Sequence, residues 1–363
     1  MSTNPIKVGL LGFGLGGSTF HASLIAEEPC LSLTAVATSR TDDVRKRFPH
    51  VAVYDSPARV IADPSVDLVI VATPDPTHEP LARLALEAGK HVVVEKPMAM
   101  SAAEGAALVA LSRERGRMLT VFHNRRWDGD FKTVREIVNS RRLGDIQFAA
   151  LTWDRFRPEV SQAWREQSQD PWGALMNLGP HLVDQALLLF GQPHAITGDL
   201  IAQRPGARSP DFFALTLHYG VARVLLSAST IVLDPRPRFA LHGTQGSFVK
   251  HGIDPQESSL RAGVTYGSPG FGQDSEHLHG VLTIMNAPPE RIPTQPGDWR
   301  PFYAGVVAAI AGGAPPPVDP MDAVAGLELI ELGRRSAEEG RTLCHRAISP
   351  RSQQPPAAYA LRC

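Results

Sequence analysis

Cysteine is almost absent from this chain: three in 363 residues, Cys30, Cys344 and Cys363, far apart and without CxxC or metal-type spacing. That scarcity excludes a disulfide framework and a cysteine-held zinc site, and it suits a reducing compartment. Long apolar runs are also missing. A membrane helix needs about 18 apolar residues, and the best candidate, Tyr303 to Val318, is broken by Gly312, Gly313 and Pro315 to Pro317. The first residues lack a charged segment followed by an apolar one, so no secretory leader is expected and the location expected is cytoplasmic. Nor is there an excess of charge of either sign. Lys and Arg number 36 against 37 Asp and Glu, a formal net charge of −1, which provides no basic field to hold a nucleic-acid backbone. Glycine and proline, 31 each, are too sparse for a collagen-like or low-complexity chain. What remains is an ordinary globular composition, long enough for two domains that each bury a core.

From Ile6 to Val121 short β-type runs alternate with helical ones: IKVGLL, LTAVAT, VDLVIVA, HVVVEK and MLTVF, separated by helical segments over 17–27, 42–48, 78–88 and 102–114. Runs such as Leu68-Val69-Ile70-Val71 are apolar on both faces, as strands of a parallel sheet covered on each side must be. This half therefore reads as α/β and doubly wound. After Trp127 the rhythm changes. Helices at 128–139 and 174–190 accompany strands near 145–155, 195–203, 211–219, 222–232 and 236–242, and residues 212–218 alternate apolar with polar. That alternation implies an antiparallel sheet with one face solvated or covered by a partner, in an α+β domain. Helical spacing returns at 299–311 and 321–337. The expected organisation is a first domain over 1–126, a second over 127–345, and a Pro/Gln-rich, poorly ordered tail over 346–363.

Gly12-Phe13-Gly14-Leu15-Gly16-Gly17 fits GxGxxG through Gly12, Gly14 and Gly17, directly after an apolar strand and at the start of a helix. In that context the glycines allow a tight turn, close backbone approach to a pyrophosphate and tight packing of helix on strand, and the helix amides meet the anion. A glycine-rich turn without a ligand is the alternative. About 20 residues further on, an acidic side chain would select NAD by binding the ribose 2′-hydroxyl. Here stand Thr38-Ser39-Arg40-Thr41, and no carboxylate precedes Asp42. The Ser39 hydroxyl and Arg40 guanidinium are donors suited to a 2′-phosphate, which favours NADP(H). Beyond the fourth and fifth strands lie Thr73-Pro74 with His78, and Glu95-Lys96-Pro97. Ligands of open α/β sheets bind beyond the strands' carboxyl ends, so Lys96 is placed to polarise a carbonyl or relay a proton. Alone, it reads equally well as a solvated lysine at a strand end. The pair His277 and His279 has no carboxylate cluster beside it and reads as loop surface, so no metal is expected.

Several longer strings now carry a resemblance. VGLLGFGLGG at 8–17, VATP at 71–74, AGKHVVVEKPMA at 88–99 and NLGPHLVDQ at 177–185 resemble the glucose–fructose oxidoreductase/inositol dehydrogenase (Gfo/Idh/MocA) family. FHNRRWDGDF at 122–131, RFRPEVSQAWRE at 155–166, AQRPGA at 202–207 and RAGVTYG at 261–267 are similar to its NADP-dependent scyllo-inositol dehydrogenase branch. The resemblance implies a Rossmann domain followed by an α+β domain with a large, mainly antiparallel open sheet that also serves a homodimer or homotetramer. It implies reversible hydride transfer between nicotinamide and a hydroxyl-bearing ring carbon of a small polyol or cyclic ketose. Lys96 takes the family's catalytic lysine and His181 its acid/base histidine. Phe13, Thr73, Pro74, His78, Glu95, Asn124 and Arg126 fall where the cofactor is lined, and Arg157, Trp164 and Arg165 where substrate is expected.

One departure matters. The family pattern places an aspartate four residues before the histidine, where this chain has Asn177. Positions 177, 181, 184 and 188 share a helix face, so Asn177, His181 and Asp184 are expected to face one site. Asparagine hydrogen-bonds an imidazole but supplies no negative charge to raise its basicity. That leaves a second expectation open: a regulatory protein that keeps NADP binding while its catalysis is weakened.

Overall fold

The computed structural model describes residues 4–160 and 172–346. The tail beyond residue 346, and Trp164 and Arg165, lie outside the described residues. The chain forms two compact units. The first comprises residues up to Trp127 together with Gln256–Phe271 and Asp298–Val324, and the second comprises Asp128–Pro255, Gly272–Gly297 and the residues from Ala325 on. Thus 256–271 and 298–324, which the reading above assigns to the second domain, pack with the first.

The first unit is built on β1 (Ile6–Leu11), β2 (Leu31–Ala37), β3 (Ala52–Tyr54), β4 (Leu68–Val71), β5 (His91–Val94) and β6 (Leu119–Val121), all parallel, in the order β3-β2-β1-β4-β5-β6. The order reverses between β1 and β4, the switch point where open α/β sheets bind ligands. β4 is inaccessible along its whole length, which is why its sequence shows no polar alternation. β3 and the helix at Pro57–Ala62 escape the sequence reading because so short a strand carries no period.

The late segments join this unit through aromatic rings. Phe122, just after β6, meets Phe302 at 4.9 Å between ring centroids and Tyr303 at 6.3 Å, in a core that also takes in Trp299, Tyr266 and Leu260. Thr120 donates from Oγ1 to the Val318 carbonyl at 2.8 Å. Phe, Tyr and Trp each bury 150–250 Å², roughly 4–6 kcal/mol per ring of gross burial at ~25 cal/mol per Å². That is enough to draw a sequence-distant helix onto the sheet.

The second unit has a nine-stranded sheet in the order β14-β13-β12-β11-β7-β10-β9-β8-β15. Its strands are β7 (Ile146–Asp154), β8 (Ala195–Ile201), β9 (Phe212–Tyr219), β10 (Ala222–Ser229), β11 (Phe239–Gly243), β12 (Gly246–Lys250), β13 (Gly280–Ile284), β14 (Glu290–Ile292) and β15 (Leu343–Cys344). Pairing is antiparallel except between β7 and β10. That parallel pair needs a long crossover, and the chain between them includes the helix Gly173–Phe190. β9 alternates buried with half-buried residues along its length, the period expected of a one-sided sheet. The strands β12 to β14 are short and hold unexpected residues: Lys250 is buried within β12 against Asp274, with Nζ to Oδ2 at 2.6 Å.

Candidate functional site

Parallel register aligns the carboxyl ends of three strands. Leu11 pairs with Val71 and Val71 with Val94, so Gly12, Ala72-Thr73 and Glu95-Lys96 leave the sheet side by side. Each glycine of the turn has a separate reason to be glycine. Gly12 has φ +92°, its N–H donates to the Ala37 carbonyl at 2.9 Å, and a Cβ on it would lie 2.4 Å from the Ala72 oxygen. A Cβ on Gly17 would lie 2.1 Å from the Gly12 oxygen, whereas a Cβ on Gly14 would meet nothing within 4 Å. Tight turn, open approach and close packing are the requirements for seating a pyrophosphate on backbone amides, so these residues fit a dinucleotide. The helix that follows begins as a π-helical turn, Gly16–His21, before α1 (Ala22–Glu27). Such turns occur often at functional sites. Phe13 is a core residue, edge-on to Phe48 at 6.4 Å, so only its backbone faces the turn.

Ser39 and Arg40 are exposed between β2 and α2 (Thr41–Arg47), with the Arg40 N–H donating to Thr38 Oγ1 at 3.0 Å. At the next strand end, Thr77 donates to the Pro74 carbonyl and lies 2.6 Å from Thr73 Oγ1, fixing the half-exposed Thr73. His78 is buried, with Nδ1 2.7 Å from the Pro97 carbonyl and Nε2 2.8 Å from that of Thr73. Its ring ties the loop after β4 to the loop after β5 and so holds the half-buried Lys96 in place. Glu95 accepts the Lys96 N–H at 3.1 Å. Burial opposes ionisation of Glu95, but the His21 hydrogen bond and the attraction of His21, Lys96 and His78 outweigh it and bring its carboxyl down to about 2. Beyond β6, Asn124 is buried on a 3₁₀ turn, and Arg126 is paired with Asp322 at 2.8 Å.

In the second unit the helix Gly173–Phe190 carries Asn177, His181 and Asp184. His181 is buried and stacked on Trp153 of β7, with centroids 5.7 Å apart and planes at 28°. Arg238, also buried, stands 4.8 Å over the same indole and donates to Gln185 Oε1 at 2.6 Å, with Asp130 Oδ2 3.7 Å from its Nε. Asn177 lines a cavity of about 70 Å³ with Arg155, Arg157, Arg204 and Thr230. Arg204 is held by Asp211 at 2.8 Å and by the Arg157 carbonyl at 3.1 Å. Burial of Asp211 is outweighed by hydrogen bonds from Gln203 and Arg204, which keep its carboxyl below the ordinary range. The helix thus places Asn177 against a polar cavity and His181 against an aromatic layer. Trp153, Arg238, His21 and Tyr303 are not among the site residues read from the sequence, since none lies in a spaced motif.

The model described as "Oxidoreductase family, NAD-binding Rossmann fold" matches residues 6–123, and "Oxidoreductase family, C-terminal alpha/beta domain" matches 135–344. The chain belongs to the Gfo/Idh/MocA oxidoreductase family. It is 42% identical over 347 residues to the uncharacterized oxidoreductase YdgJ of Escherichia coli K12, covering 95% of this chain and 99% of YdgJ. It is 39% identical over 343 residues to IolW of Bacillus subtilis, a scyllo-inositol 2-dehydrogenase (NADP(+)), covering 94% and 96%. Among solved structures, YvaA of Bacillus subtilis is similar with a TM-score of 0.91 at 38% identity, covering 95% of this chain and 100% of that one. An oxidoreductase from Bacillus cereus gives 0.85 at 31%, with the same coverage. This Gfo/Idh/MocA protein is therefore an NAD(P)-binding oxidoreductase, and among its described residues no helix is long and apolar enough to cross a membrane.

Proposed function

We propose that this protein is an NADP(H)-dependent dehydrogenase/reductase acting on CH–OH groups, with a polyol, cyclitol or sugar of the scyllo-inositol/scyllo-inosose type as substrate. The observation that carries the reading is the placement of Lys96 beside the glycine turn, on the shared level of β1, β4 and β5. When bound, the nicotinamide supplies or accepts a hydride at C4. Gly12, Gly14 and Gly17 would seat the pyrophosphate, and Ser39 and Arg40 the 2′-phosphate. Thr73, Pro74, Asn124 and Arg126 belong to the same strand-end surroundings. Lys96, with three N–H donors, holds the substrate oxygen and stabilises charge growing there. His181 gives a proton to that oxygen in reduction and takes it in oxidation. Arg157, Asn177 and Asp184 provide donors and acceptors suited to ring hydroxyls. The 39% identity to IolW supports both the cofactor and the cyclitol class, and a homo-oligomer of two or four copies accompanies the reading.

Asn177 favours a second reading, an NADP-binding regulatory protein with little turnover. Incubating the purified protein with NADPH and scyllo-inosose or other cyclic ketoses, and following the absorbance of the reduced nicotinamide, tests both. Turnover on a ring ketone is expected, whereas tight NADPH binding with no turnover on any ketose would leave the regulatory reading.

A further inference from the structure

The helix α2, seven residues long, buries a single side chain, Val44. So short a helix is marginal by itself, and its C-terminal end is fastened by Arg47. The guanidinium donates from Nη1 to the Ser18 carbonyl on the π-helical turn and from Nη2 to Ser23 Oγ on α1 at 2.8 Å. Ser18 in turn donates to the Gly14 carbonyl from its backbone N at 2.8 Å and from its Oγ at 2.7 Å. A second path runs through rings. The Arg47 guanidinium stands 5.1 Å from the centroid of Phe48, which meets Phe13 of the glycine turn edge-on. The end of α2 is thus tied twice to the segment Gly12–Ser18. At the other end of α2 the Arg40 N–H bonds to Thr38 Oγ1, and the Thr38 N–H donates to the Tyr54 carbonyl at 3.0 Å. The loop of Ser39 and Arg40 therefore takes its local order from the ends of β2 and β3, not from Arg47.

We propose that Arg47 is a positioning residue that sets the distance between the glycine turn and the loop of Ser39 and Arg40, so that one NADP(H) molecule reaches both with its pyrophosphate and its 2′-phosphate. The inference rests on reading Ser39 and Arg40 as the seat of the 2′-phosphate. The two anionic groups are joined through one ribose, so covalent geometry restricts their separation. Binding both at once gains over binding either only when the two seats stand at a matching separation, and the gain is lost when they do not. Arg47 bridges the elements that carry them: it belongs to the helix that follows Arg40, and it donates to the residue whose hydroxyl holds Gly14. A merely stabilising arginine would affect every ligand of this unit alike, whereas a spacing residue acts only on a ligand that spans the two seats.

Titration calorimetry with three probes separates these roles without any turnover: NADPH, which spans both seats, 2′-AMP, which offers only the 2′-phosphate, and ADP, which offers only the pyrophosphate. Arg47→Met keeps an unbranched stem beside Phe48 and removes the donors. It should weaken NADPH by roughly three- to tenfold, the fold-change of one or two hydrogen bonds of ordinary net strength, while 2′-AMP and ADP stay within about twofold of native. Arg47→Lys retains a donor and should fall between native and Arg47→Met for NADPH. Unchanged NADPH affinity in Arg47→Met overturns the proposal. An equal weakening of 2′-AMP also overturns it, because Arg47 would then support the phosphate seat itself, and so does an equal weakening of ADP, which would confine its action to the glycine turn. Should Arg47→Met fail to fold, Ser23→Ala removes one of the two bonds, and native NADPH affinity in both Ser23→Ala and Arg47→Lys overturns the proposal instead. The native protein tests the cofactor reading separately. Equal native affinity for NADPH and NADH would remove the seat at Ser39 and Arg40, and this inference with it, whereas a native preference for NADPH that Arg47→Met leaves intact would remove the inference alone.

Discussion

Lys96 and His181 stand in surroundings of opposite kinds. The loop that carries Lys96 is fastened by groups within a few residues of strand ends: the Thr73 and Pro97 carbonyls on His78, and the Lys96 amide on Glu95. His181 rests on Trp153 of β7, under which Arg238 arrives from the start of β11 and Gln185 from the next turn of its own helix. The first site is held by polar bonds to backbone. The second is held by ring stacking and a buried cation. The bonds of the first fix direction at single atoms, whereas the stacking of the second sets the plane of the imidazole, at 28° to the Trp153 indole.

The largest expected effects test whether both residues act in the chemical step. Lys96→Met and His181→Ala should each lower kcat by about 10²–10⁴, the usual worth of a positioned proton-transfer group, while NADPH affinity measured by nicotinamide fluorescence stays within about twofold in His181→Ala. A native kcat in either variant would remove that residue from the reaction. A loss of NADPH binding in Lys96→Met without a change in kcat would make Lys96 a cofactor-binding residue only.

A somewhat smaller effect is expected from Glu95. Its carboxyl lies near 2 in the folded protein against an ordinary value of 4.5, so it is depressed on folding. It therefore adds stability that is fully present above about pH 4.5 and is lost as pH falls through 2. The whole contribution is roughly 3 kcal/mol, of which about 2 kcal/mol is gone by pH 3. Urea unfolding at pH 6 and pH 3 should show the native protein losing more stability than Glu95→Gln by about that amount. Parallel losses would mean that the carboxylate is not held ionised in the folded protein.

The same contrast explains what could be read from the chain alone. The glycine turn, Thr73, Glu95 and Lys96 were legible because each follows an apolar strand run directly, and parallel register then sets the strand ends level without further information. The helix that carries 177, 181 and 184 was legible from its spacing. Trp153 and Arg238 were not, because the pairing of β7 with β11 brings them under His181, and nothing local to either residue announces that register. The packing of Trp299, Phe302 and Tyr303 with the first unit was missed for the same reason: the helical pattern over 299–311 gives a face to bury but not the surface that receives it. β12 to β14 were missed because runs of three to five residues carry too little period to read, and Lys250 is accommodated in β12 by Asp274 and the His251 carbonyl.

Within the first unit, cofactor choice offers a finer test. Ser39 and Arg40 stand exposed where a carboxylate would select against a 2′-phosphate. NADPH should bind more tightly than NADH, and Arg40→Ala should narrow the gap by roughly 1.5–3 kcal/mol, the usual value of a hydrogen bond to a charged group. Equal dissociation constants for the two cofactors in the native protein would refute the preference, and an unchanged gap in Arg40→Ala would move it to Ser39.

The smallest expected effect bears on the second unit and on Asn177. If Asn177 addresses His181 across one turn of the helix, then Asn177→Asp places a carboxylate near the imidazole and should raise its pKa by about one pH unit, since an opposite charge favours the charged form. Reduction of a ketone needs the imidazolium, so its rate should persist to a pH about one unit higher. Oxidation needs the neutral ring, so its rising limb should move upward by the same amount, and a stronger base should then give a faster plateau above that limb. Pre-steady-state reduction by the native and Asn177→Asp proteins over pH 6–10 separates the cases. A displaced apparent pKa supports the coupling, and superimposable profiles would mean that the stacked layer of Trp153 and Arg238, rather than position 177, governs the histidine.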